Sequence, residues 1–206
     1  MNAYIAAVHH KHRGAVEVLL GQKNIYLPPH GRFQFAAIGR NAVQYVLPGG
    51  VVAPGETIER AAIREFHEAT GVELHANALK LFYSDSTAGD HFFRVDYDHA
   101  RGHHGVELIN LAIGEGRTAS LAYNHFAWFT IESAQCALGN KHEYQQLPWV
   151  TGQIMRALNA GFSGEYINMR ANDNHARFAC ALAKLLLDVL EPRPHGEPPS
   201  TRSEAT

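Results

Sequence analysis

Residues 47–72 read Leu-Pro-Gly-Gly-Val-Val-Ala-Pro-Gly-Glu-Thr-Ile-Glu-Arg-Ala-Ala-Ile-Arg-Glu-Phe-His-Glu-Ala-Thr-Gly-Val. Paired glycines let a backbone approach a ligand more closely than side chains permit. The segment then runs into the clearest helical pattern of the chain, Thr57–Thr70. Ile58, Ala62 and Phe66 recur at i, i+4 and i+8, with Ile63 widening that apolar face. Thr57 stands where an N-cap belongs, and Gly71 where a left-handed residue ends a helix. Glu65 and Glu68 are three apart and project from neighbouring turns on one side. Such a pair can hold a hard divalent cation, Mg²⁺ foremost, that shares its shell with substrate phosphates. Taken alone, the pair fits a solvated acidic helix face better than a site. The residues around it decide.

Gly50, Glu56, Arg64, Glu65, Phe66, Glu68, Gly71 and Val72 keep the spacing of the Nudix box. That box is glycine, five residues, glutamate, seven residues, Arg-Glu, an apolar residue, any residue, Glu-Glu, any residue, glycine and an apolar residue. The Pro48-Gly49-Gly50 lead-in and the Pro54-Gly55-Glu56 turn resemble the family too, and Ala127-Trp128-Phe129 is similar to its later strand. The resemblance implies an α/β fold, a Nudix-type α/β/α sandwich with a mixed sheet and extra C-terminal helices. It implies Mg²⁺-dependent hydrolysis (Mn²⁺ serving in its place) of a diphosphate linkage in a nucleoside diphosphate derivative. By the same resemblance Gly50 offers a carbonyl to the metal and Glu68 is a principal ligand. Glu65 is a second ligand or orients the attacking water, and Arg64 pairs with Glu56 to brace loop against helix.

One fixed position departs: the second glutamate of the pair is Ala69. Its loss takes one oxygen ligand and one negative charge from the metal site, a change that can reduce affinity or activity by roughly 10–100-fold or more. The accessory glutamate often found before the later tryptophan is also missing from Leu121–His125. Asp96, Asp98, Glu107, Glu115 and Glu143 are the candidate substitutes. The leading reading is therefore a hydrolase of reduced activity. Its rival is a Nudix-fold nucleotide-binding or regulatory protein with an impaired site. A third reading takes the clusters His9-His10-His12 and His103-His104 as transition-metal ligands, although they lack acidic or cysteine partners at a recognised spacing. Tyr123, His125, Trp128, His142 and Tyr144 could stack on a base, or could simply pack.

Elsewhere, Ala3–Val8 and Ala15–Leu20 read as strands joined by a polar turn, and residues 24–42 as irregular. Gln44–Leu47, Ala78–Ser84, Phe92–Tyr97, Val106–Ile113 and Phe126–Ile131 read as further strands, Gln145–Ala160 and Asn174–Leu190 as helices. A single domain over residues 1–190 is expected, with a tail at 191–206 too rich in proline and charge to form a core. The helical portion 145–190 is long enough to cover the cleft or form a homodimer interface. A formal charge of −2 gives no overall field for bulk nucleic acid or an anionic membrane. No stretch reaches the ~20 apolar residues of a membrane span. Two distant cysteines, Cys136 and Cys180, suit a reducing compartment, and a cytoplasmic protein acting on a small nucleotide diphosphate is expected.

Overall fold

An unbroken apolar run such as Ala3–Val8 suits a strand covered on both faces, and all six of its residues are buried. A computed structural model describes residues 1–11, 15–24, 26–27, 37–38, 44–97, 105–139 and 174–190, and places this run in β1 (Asn2–His10) at the middle of a seven-stranded mixed sheet. β2 (Val16–Lys23), β5 (Tyr45–Val46), β6 (Gly49–Val51), β7 (Lys80–Asp85), β8 (Asp90–Asp96) and β9 (Tyr123–Thr130) complete it. β3 (Tyr26–Leu27) and β4 (Ala37–Ile38) form a separate two-stranded ladder.

β8 runs parallel to β1 along one edge, from Asn2 opposite Asp90 to Val8 opposite Asp96. The other edge of β1 is divided. Asn2–Tyr4 pair antiparallel with β6, and Val8–His10 with β2. β2 likewise shares one edge between β1 and β5 and gives the other to β9. This split opens the sheet at the end where β6 and the last residue of β2 lie.

Helices lie on both faces: α1 (Ile58–Thr70), α2 (Val106–Gly114), α3 (Ile131–Gly139) and α4 (Asn174–Leu190). Alternation along the strands assigns the sides. Tyr4 meets Phe178 of α4 with ring centroids 5.2 Å apart, whereas Lys23, which alternation puts on the other face, lies toward α1 and feels the charge of Glu65. α1 begins as the sequence predicts. Thr57 Oγ1 accepts from the Arg60 N–H at 3.3 Å, and Gly71, at φ +73°, donates to His67 O at 2.7 Å. Ala61, Ala62, Phe66, Ala69 and Thr70 form its buried face. Ile63 does not widen that face; it lines an outer groove with Arg60, His67 and His75.

The mixed α/β class holds, and helix Asn174–Leu190 keeps its expected bounds. The first strands extend further than expected, and a short 3₁₀ turn at Ala76–Ala78 precedes β7. One element is of the wrong kind: Val106–Ile113 is the helix α2, not a strand. Its buried residues are Ile109 and Ala112, three apart, while Leu108 and Leu111 stay half exposed. A short apolar run reads alike for both structures. In place of a strand on the edge of β9, one side chain makes the pair of bonds. Asn110 donates to Phe126 O at 2.9 Å and accepts from the Phe126 N–H at 2.7 Å. The expected helix Gln145–Ala160 and the tail from Glu191 fall outside the described residues. Among the described residues no helix is long and apolar enough to cross a membrane.

Candidate functional site

At the open end of the sheet, β6 carries Gly50 against α1. A Cβ added to Gly50 would land on the Glu65 carboxylate, 2.6 Å from Oε1. Glycine here lets the Glu65 carboxylate rest against the backbone of β6; any side chain would make that carboxylate swing away. Gly49 beside it approaches β1 as closely: a Cβ there would lie 2.6 Å from the Tyr4 Cα.

Arg64 organises the acidic residues. Its Nε and Nη2 donate to the two oxygens of Glu56, both at 2.9 Å. Nη1 donates to Glu65 Oε1 at 2.9 Å and to Glu68 Oε1 at 3.4 Å. Nη2 also reaches Val51 O at 3.0 Å, which ties the helix to the strand bearing Gly50. Glu56 accepts in addition from the Ala53 N–H at 3.1 Å. The Arg64 hydrogen bonds, helped by Ala53, hold the Glu56 carboxyl below the usual carboxylate range. Those same bonds, Glu56 first, push the Arg64 guanidinium up. The fork-to-carboxylate pairing fixes direction as well as charge.

The structure thus brings Gly50, Glu56, Arg64, Glu65 and Glu68 together. Glu65 and Glu68 are partly exposed, 23% and 37% by side chain, and each keeps its Oε2 clear of the guanidinium. Two hard oxygen donors beside a bare backbone fit one Mg²⁺-like ion that completes its shell with water and substrate phosphate. Among the described residues no group of three or more His, Cys, Asp or Glu side chains is arranged to hold a metal by itself. Ala69 contributes no donor and is fully buried, at 0% exposure.

None of the described substitute carboxylates joins the pair. Asp96 is held by Arg94 and His10 on the other face, Glu115 is bonded to Arg117 at 2.5 Å, and Glu107 is exposed in the first turn of α2. Asp98 and Glu143 lie outside the described residues. The histidines diverge as well. His9 and His10 are adjacent in a strand and point to opposite faces: the His9 ring sits 5.8 Å from that of Trp128, whereas His10 meets Asp96 at 3.3 Å. They cannot share an ion; His12, His103 and His104 are outside the described residues. The aromatic group separates too. Tyr123 lies at the open end, while Trp128 packs on Tyr97, ring centroids 5.6 Å apart, toward the other end of β9.

Lys23, which sequence reasoning did not single out, belongs to this region. Its Nζ stands 3.8 Å from the centroid of the Tyr123 ring. Tyr123 is buried, and its hydroxyl accepts from the Gly49 N–H at 3.4 Å. Burial brings the Lys23 ammonium down to about 8, and nearby Glu65 works in the opposite direction. A cation closing an otherwise apolar strand, Val18–Gly21, is the only sign of it in the sequence.

The chain matches the family model of the NUDIX domain over residues 5–150. No curated protein matches it. Solved structures similar to it include a MutT/nudix family protein from Enterococcus faecalis, 17% identical, with a TM-score of 0.41 over 63% of this chain and 42% of that one. This chain thus spans less than half of that protein. An Ap4A hydrolase of C. elegans, in a binary complex, is 18% identical, with a TM-score of 0.41 over 79% of this chain and 100% of that one. A mutT/nudix family protein from Listeria innocua is also 18% identical, with a TM-score of 0.41 over 78% and 94%.

Proposed function

This chain belongs to the Nudix family, and from that premise we propose that it is a divalent-ion-dependent hydrolase of a diphosphate linkage in a small nucleoside diphosphate derivative, with Glu65 and Glu68 at the ion. The reading is carried by one observation: a single guanidinium, Arg64, gathers Glu56, Glu65 and Glu68 beside Gly50.

A bound Mg²⁺ would neutralise phosphoryl charge and lower the pKa of a coordinated water. The chain's own residues prepare for that. Glu68 would be the principal ligand, its Oε2 lying outside the Arg64 bond, and the Gly50 carbonyl would be the backbone ligand. Glu65 lies closest to Gly50 and would be a second ligand, or orient the attacking water and take its proton. Arg64 and Glu56 are positioning residues. They hold the two carboxylates at fixed angles, so little reorganisation is needed when substrate arrives.

A second reading, a nucleotide-binding protein with an impaired site, is favoured by the burial of Ala69 and by the lack of a replacement carboxylate among the described residues. One experiment separates the two. Phosphate or pyrophosphate release is followed over a panel of nucleoside diphosphate derivatives with Mg²⁺ or Mn²⁺, for the native chain and Glu68→Gln. Turnover that falls at least about a hundredfold in Glu68→Gln is expected. A native chain that binds the nucleotides and releases nothing would sink the enzyme reading and leave the second.

A further inference from the structure

We infer that the Lys23 ammonium adds a positive charge beside the site and limits it to a single divalent ion. The inference rests on the ion-binding reading above and deepens it. Around Gly50 three carboxylates, Glu56, Glu65 and Glu68, stand against two cations, Arg64 and Lys23. Position 69, where a further carboxylate would add to the excess, is an alanine closed inside the core. Two ions held ~3.5–4 Å apart repel each other and need surplus negative charge from their ligands; this set has a surplus of one, which Arg60, acting on Glu56 from outside, reduces further.

The ammonium is also held in place. Its Nζ lies over the face of Tyr123 at 3.8 Å, a favourable seat for a cation. Tyr123 is anchored by burial and by the Gly49 N–H, and Gly50, the next residue, touches the Glu65 carboxylate. Lys23, Tyr123, the glycine pair and Glu65 therefore form a contiguous chain of contacts. An incoming ion at Glu65 and Glu68 meets an existing positive charge on that side. The first ion is weakened, and a second is excluded by like-charge repulsion.

The test counts ions on the full chain with Mn²⁺ alone, by calorimetric titration and by loss of the free-Mn²⁺ paramagnetic signal. The native chain is expected to bind one Mn²⁺, with Glu68→Gln abolishing it. Lys23→Met and Lys23→Gln should bind the first ion about tenfold more tightly and take up a second, while Lys23→Arg should titrate like the native chain. Two variants of different polarity guard against one that fails to fold. If Mn²⁺ binding depends on Glu68 yet Lys23→Met and Lys23→Gln keep one ion at native affinity, this inference falls alone. Two Glu68-dependent ions on the native chain would overturn it as well. Should no variant show Glu68-dependent binding, the ion-binding reading itself falls and takes this inference with it.

Discussion

Ala69 faces the core one turn beyond Glu65, and the burial of its side chain is complete. Restoring the family's glutamate there is therefore not a simple repair. A carboxylate at that position must either leave the helix's buried face or lose its water, and an unpaired buried polar group costs roughly 1–3 kcal/mol or more. Ala69→Glu is expected to lower the thermal midpoint by several degrees, read by circular dichroism; an unchanged midpoint would mean that the side chain has found the site's water. At this scale the sequence was informative where spacing is fixed by helix geometry. Glu65 and Glu68 share a side because they are three apart, and Arg64 meets Glu56 because the intervening turn brings them back together. It was uninformative about Lys23, whose role depends on β2 ending beside β9, a juxtaposition of residues a hundred positions apart. No local pattern encodes such a meeting.

Elements tell a similar story through α2. The run Val-Glu-Leu-Ile-Asn-Leu-Ala-Ile satisfies a strand and a helix almost equally, and only tertiary contact chooses between them. Asn110 settles the choice by bonding both backbone groups of Phe126, so that β9 has a side-chain clasp on the edge away from β2. Asn110→Ala leaves that N–H and C=O to find water or go unpaired. A loss of about 1–3 kcal/mol is expected in urea unfolding, with faster amide exchange at Phe126. Native-like exchange there would show that the clasp contributes nothing. By contrast α1 was legible almost to the residue, since Thr57 and Gly71 end it by local chemistry that needs no partner. Only its Ile63 was assigned to the wrong side, because 3.6-residue periodicity leaves the margin of an apolar face undefined.

Across the whole molecule, α4 is locked to the sheet by charge as well as by Phe178. Arg94 donates to Asp188 at 2.9 Å and to Asp96 at 2.7 Å, and Lys80 also bonds Asp188. Burial alone would raise the Asp188 carboxyl, yet the bonds from Lys80 and Arg94 hold it below its ordinary value. A depressed carboxylate stabilises the fold above its unfolded pKa, about 3.9, and loses that contribution as pH falls through the lower folded value. The native chain should therefore melt higher than Asp188→Asn at pH 6, with the gap closing toward pH 3. A gap that is constant with pH would show that the carboxylate's charge plays no part. The placing of β1 has its own consequence during synthesis. It is made before its parallel neighbour, β8, which is complete only about ninety residues later, and the nearby β2 pairs only Val8–His10. The greasy stretch Ala3–Ala7 thus waits beyond the reach of that hairpin until later strands are made. Long-range parallel pairing is slow to form and prone to sticking, so this stretch stays open to wrong partners until β8 arrives.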